Sequence, residues 1–110
     1  MELNEYQNLA MKTKKPWGED VKGQLTDSIL GLTGESGEVA DIIKKYFAGV
    51  KELDKDHLIN EMGDVMWYLA ELAETLGTTL DEIATLNIEK LKARHGEKFS
   101  GYGNRNGKGK

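Results

Sequence analysis

Residues 31–41 read GLTGESGEVAD, and this stretch decides how the chain is read. Gly31, Gly34 and Gly37 recur every third residue, with Glu35 and Glu38 between them. Leu25, Ile29 and Leu32 already run in helical register upstream, so the stretch reads as the interior of a helix. A loop followed by a helix starting near Glu35 or Ser36 is the alternative. Inside a helix each glycine costs about 1 kcal/mol relative to alanine. Glycines there let another backbone, a metal or a phosphate approach closely, which offsets that cost.

Outward from this stretch the chain reads as helices. A first helix is predicted from Leu3 to Lys14, ended by Pro16-Trp17-Gly18. The second runs from Gln24 to Phe47 and stops at Gly49. The third starts behind Asp54 as N-cap, with Leu53 and Leu58 as a hydrophobic staple. Its apolar positions Leu58, Met62, Val65, Leu69, Leu72 and Leu76 alternate four and three apart, and Gly77 closes it. The fourth opens with the capping-box pattern Thr79-Leu80-Asp81-Glu82 and continues to Gly96. No alternating Val/Ile/Thr-rich run suggests a strand. The expected fold is all-α, a bundle of about four helices with helices two and three as an antiparallel hairpin. Residues 1–99 are expected to form one domain, and the Gly- and Lys-rich residues 100–110 a flexible tail.

The acids fall into two pairs. Glu35 and Glu38 are three apart, and Glu61 and Asp64 repeat that spacing on the third helix. The pairs lie equally far from Gly49-Val50, the predicted turn, so folding there brings them to similar heights. Clustered carboxylates repel, and they persist when protonated, paired with bases or neutralised by a cation. All-oxygen donors suit hard divalent ions, Mg²⁺ or Mn²⁺. A solvated acidic face on each helix is the plainer alternative.

Bulk properties narrow the function classes. The 110 residues carry a net charge of −4, and Arg105, Lys108 and Lys110 of the tail leave the body more acidic still. Such a body argues against a duplex nucleic-acid grip. Without cysteine, disulfide, zinc-ribbon and thiol chemistry are excluded. The first residues, MELNEYQNLAMKTKK, lack an apolar signal-peptide core, and no apolar run reaches membrane-spanning length, so a cytoplasmic location is expected. Val65-Met66-Trp67-Tyr68-Leu69-Ala70 is apolar or aromatic all round, which predicts a homodimer or homotetramer with an interface near Trp67.

Glu35-x-x-Glu38, twenty-two residues, then Glu61-x-x-Asp64 resembles the ExxE…ExxD signature of the all-α nucleoside triphosphate pyrophosphohydrolases. GLTGESGEVADIIKKYF, INEMGDVMWYLAELAETLG and the closing NIEKLKARHGEKFS resemble the MazG-like branch, over about Leu3 to Ser100. The resemblance implies Mg²⁺-dependent hydrolysis of a (deoxy)nucleoside triphosphate to monophosphate and pyrophosphate, in the removal of non-standard or excess nucleotides. It implies Glu35, Glu38, Glu61 and Asp64 as metal ligands. Glu38 and Glu61 are the candidate catalytic carboxylates, Glu38 as acceptor of a proton from water.

In that setting the fourth helix offers Asn87, Lys90 and Arg94 on one face as phosphate contacts. A solvated cationic helix end is the competing reading. Tyr68, one turn beyond Asp64, and Trp17 are candidates to flank the base. A ferritin-like di-iron site would want Glu-x-x-His, and Asp64 stands where that histidine would be. A metal-free helical interaction module and a phosphoribosyl-ATP pyrophosphohydrolase-like enzyme are the remaining alternatives.

Overall fold

The computed structural model describes residues 1–99; the tail expected from residue 100 lies outside them. The fold is all-α: α1 (Leu3–Ala10), a 3-10 turn (Met11–Thr13), α2 (Val21–Phe47), α3 (Lys55–Leu76) and α4 (Leu80–Arg94). Contacts divide the chain into two compact units, Met1–Leu80 and a second beginning at Asp81.

Local chemistry sets the helix ends. Asp20 caps α2, its Oδ1 accepting from the Gly23 amide at 2.8 Å, so the helix starts three residues before the expected Gln24. Asp54 caps α3 through the His57 amide at 3.1 Å. Gly77 closes α3 with φ of 76°, a left-handed turn that glycine adopts at no steric cost. The first helix ends at Ala10 and tightens into the 3-10 turn, where a longer α-helix was expected.

In the first unit α2 and α3 pair antiparallel. Ser28 Oγ donates to Glu71 Oε1 at 2.7 Å, and Thr75 Oγ1 to Gln24 Oε1 at 3.2 Å. Each step down α2 matches an equal step up α3. Lys14 Nζ joins the seam by donating to Gln24 Oε1 at 3.3 Å. The first helix docks through two long-range anchors. Gln7 Nε2 donates to Glu74 Oε1 and the Thr78 carbonyl, each at 3.1 Å, while Gln7 Oε1 accepts from the Leu80 amide at 2.7 Å. Trp67 Nε1 donates to Thr13 Oγ1 at 2.8 Å and the Ala10 carbonyl at 3.2 Å. Trp67 is therefore a clamp on the α1 segment within the subunit.

Among the described residues the buried set is unusually polar: Gln7, Gln24, Ser28 and Glu71, with Ala70 and Ala73 as the buried apolar residues. Large apolar side chains lie outside instead. Ile59, Met62, Met66, Leu69 and Leu76 form an exposed stripe on α3, and Ile29 and Ile43 are exposed on α2. Between these helices Ser36, Val39, Met62, Val65 and Met66 line an apolar groove of about 350 Å³.

Gly31 has a steric reason that Gly34 and Gly37 lack. A Cβ on Gly31 would overlap the Tyr68 ring, whereas one on Gly34 or Gly37 meets open space. Gly31→Ala is expected to cost about 1–3 kcal/mol by overpacking. In a Tyr68→Ala background the same change should become neutral or stabilising by up to about 1 kcal/mol, since alanine is then simply the better helix former. Urea denaturation of the four-variant cycle measures both; equal effects in the two backgrounds would contradict the contact.

Candidate metal centre

Two turns beyond Ser28, α2 presents Glu35 to α3, and α3 answers with Glu61 and Asp64. One carboxylate oxygen from each of the three lies within 4.8 Å of the others. Glu35 and Glu61 are half-buried and Asp64 is exposed, so the trio sits at the rim of the helix pair. The proton affinity of Glu35 is raised, chiefly by a hydrogen bond to Glu61, then by burial and by the charges of Asp64, Glu61 and Glu38. Three carboxyls thus share one space, and their proximity favours the protonated form of Glu35.

Glu38 stands apart from the trio. It is exposed, and its charge reaches Glu35. His57, one turn before Glu61 on the same helix, places Nε2 at 3.2 Å from Glu61 Oε2. That i,i+4 contact holds Glu61 and gives no Glu-x-x-His pair.

The aromatic candidates belong to the same unit. Tyr68 lies on Gly31, one turn of α2 before Glu35, with its ring edge-on to Trp67 at 5.0 Å. Its hydroxyl is pushed up by burial and then by Asp27, Glu35 and Glu71. Trp17 covers the first turn of α2 at Gly23, and its Nε1 is buried without an acceptor. Asn87, Lys90 and Arg94 belong to the second unit, where all three are exposed along α4. Sequence reasoning passed over Asp27 and Lys15, an ion pair at 3.5 Å beside Tyr68. A signal for Asp27 was present: it falls one turn before Gly31 and two before Glu35.

The donor set fits a hard divalent ion: three converging oxygens, no sulfur, and mutual repulsion that such an ion would relieve. A raised carboxyl makes the cation-free fold less stable as pH climbs from the ordinary glutamate range through the raised value, because the unfolded chain gives up that proton more readily. Glu35→Gln removes this contribution. The melting temperature of the cation-free wild type should therefore fall relative to Glu35→Gln over that rise in pH. Millimolar Mg²⁺ or Mn²⁺ should restore the wild type alone, by mass action on the folded state. Parallel melting curves at every pH, with or without cation, would contradict the site.

Comparison with known proteins identifies the family. Residues 24–99 match the family described as the MazG nucleotide pyrophosphohydrolase domain. The chain is 39% identical over 69 residues to the gene 37 protein of Mycobacterium phage L5, covering 59% of this chain and 60% of that protein. It is 35% identical over 72 residues to the uncharacterized protein YvdC of Bacillus subtilis strain 168, covering 57% of this chain and 68% of that one. No solved structure matches the chain.

Proposed function

Since this chain belongs to the MazG nucleotide pyrophosphohydrolase family, we propose that it hydrolyses (deoxy)nucleoside triphosphates to monophosphate and pyrophosphate with Mg²⁺ or Mn²⁺. The observation that carries the reading is the convergence of Glu35, Glu61 and Asp64 from two helices. These three carboxylates, with Glu38 one turn along, would hold the cation. A bound divalent ion supplies charge neutralisation at phosphate oxygens and acidifies water.

The chain's own groups do the rest. Glu38 is exposed and outside the trio, so it retains lone pairs to accept a proton from the attacking water. Glu61, oriented by His57, holds its carboxylate toward Glu35. Water oxygen bonds to the α-phosphorus, the bond from that phosphorus to the α,β-bridging oxygen breaks, and pyrophosphate leaves with the electron pair. Asn87, Lys90 and Arg94 grip the distal phosphates, Arg94 by its fork and Lys90 as a point charge. Tyr68 and Trp17 flank the base. The role that follows is clearance of non-standard or excess nucleotides in the cytoplasm. Among the described residues no helix is long and apolar enough to cross a membrane.

The active form is a homodimer or homotetramer. Support comes from the stripe Ile59, Met62, Met66, Leu69 and Leu76, whose solvent exposure runs from 41% for Met66 to 67% for Leu76. Exposed large apolar side chains at this spacing support an interface. The interface lies on this stripe, away from Trp67.

With Mg²⁺ and a panel of triphosphates, pyrophosphate and monophosphate should appear together, and Glu61→Gln should lower turnover by about 100-fold or more. Orthophosphate as first product, or full activity in Glu61→Gln, contradicts the assignment. Light scattering at micromolar concentration should give a dimer or larger for the wild type and a monomer for Met66→Asp/Leu69→Asp. A monomeric wild type contradicts the assembly.

A further inference from the structure

One ridge of α2 carries Gly23, Asp27, Gly31 and Glu35, each a single turn from the last and each partly exposed. An aromatic ring lies on each glycine. A Cβ at Gly23 would stand 2.7 Å from Trp17 Cζ3, and one at Gly31 would overlap Tyr68. Between the two rings comes Asp27, its side chain 25% exposed, with Lys15 Nζ at 3.5 Å from its Oδ1. Trp17, Thr26, Asp27 and Leu30 border an open cleft of about 450 Å³. From the acid trio upward, the order along the ridge is carboxylates, phenol ring, carboxylate, indole.

Trp17 and Asp27 line this cleft, and Tyr68 and Glu35 follow along the same ridge beyond its lining. Asp27 lies about 12 Å along the helix axis from Glu35, from eight residues at about 1.5 Å each. That is near the reach of a nucleotide from its α-phosphate to the outer edge of its base. The Tyr68 hydroxyl is pushed up first by burial, then by the charges of Asp27 and Glu35, with Lys15 acting in the opposite sense.

An ionised carboxylate only accepts hydrogen bonds. Cytosine, adenine and guanine each present an amino group on the pairing edge, which donates to it. Uracil and thymine present a single N–H flanked by two carbonyls, so a carboxylate at that edge faces oxygens of like partial charge. Lys15 supplies an adjacent donor for the ring nitrogen or carbonyl beside the amino group. We propose that Asp27 reads the base: the substrate is a nucleoside triphosphate whose base bears a pairing-edge amino group, seated between Tyr68 and Trp17, with uracil and thymine rejected. This rests on the nucleotide-hydrolase reading and assigns that site its specificity residue.

The test measures equilibrium binding, by calorimetry with Mg²⁺, of non-hydrolysable α,β-imido triphosphates carrying each base. The full-length wild type, Asp27→Asn and Lys15→Met are compared. The wild type should bind the amino-bearing bases at least about tenfold more tightly than uracil or thymine. The side-chain amide introduced by Asp27→Asn offers both a donor and an acceptor, so this variant should reduce the ratio to about threefold or less, mainly by tightening uracil. Lys15→Met breaks the ion pair and keeps the acceptor, so it should weaken binding and preserve the ratio; a merely structural ion pair would make the two variants alike. Equal binding of all bases by the wild type, or an unchanged ratio in Asp27→Asn, overturns the role of Asp27 alone. Binding of none of the analogues overturns the nucleotide-hydrolase reading, and this inference with it.

Discussion

The close approach of α2 to α3 at Gly31 is the constraint on which the rest of the first unit depends. With hydrogen in place of a side chain, α2 lets the Tyr68 ring lie against its backbone. That contact, and the bonds from Ser28 to Glu71 and from Thr75 to Gln24, share one antiparallel register. Continued one turn toward the connecting loop, the register delivers Glu35 to Glu61 and Asp64. A slip of one turn, about 5.4 Å, would separate the three oxygens beyond any common ligand. The helical penalty at Gly31 is thus offset at a distance, by the placement of a carboxylate four residues later.

The register is held by polar groups, and this has a consequence for stability. A buried hydrogen bond contributes only about 1 kcal/mol net, while a buried group left unpaired costs about 1–3 kcal/mol. The Ser28–Glu71 seam is therefore a device for selecting one pairing over its neighbours, more than a source of cohesion. Glu71 Oε2 is buried without a partner, a further cost carried by the subunit. Cohesion must come from apolar burial. Among the described residues the buried apolar positions are Ala70 and Ala73, and the Met62–Met66–Leu69 stripe lies in solvent. The proposed homo-oligomer would supply burial that the isolated chain lacks.

Much of this was legible in the text, for stated reasons. The capping acid Asp54, the stop at Gly77 and the four–three apolar spacing are local signals, and α3 follows them. The first turn of α2, Val21-Lys22-Gly23, has no apolar period, and Asp20 alone announces it. Long-range partners left no local trace. Trp67 read as an outward apolar residue, yet the Ala10 carbonyl and Thr13 hydroxyl, more than fifty positions away, claim its indole. Ser28 and Glu71 likewise carry no local signal of their pairing. The i,i+3 spacing delivers both Glu61 and Asp64 to the cluster, but on α2 it delivers Glu35 alone. Glu35 turns to α3, and Glu38 stays in solvent.

The central claim is that the Glu35–Glu61–Asp64 cluster directs water to the α-phosphorus of a nucleoside triphosphate. Hydrolysis in ¹⁸O-enriched water, followed by mass spectrometry of both products, tests it most directly. The account predicts the heavy oxygen in the nucleoside monophosphate and none in the pyrophosphate. Label in the pyrophosphate, or in free orthophosphate, would mean attack at another phosphorus and would contradict it.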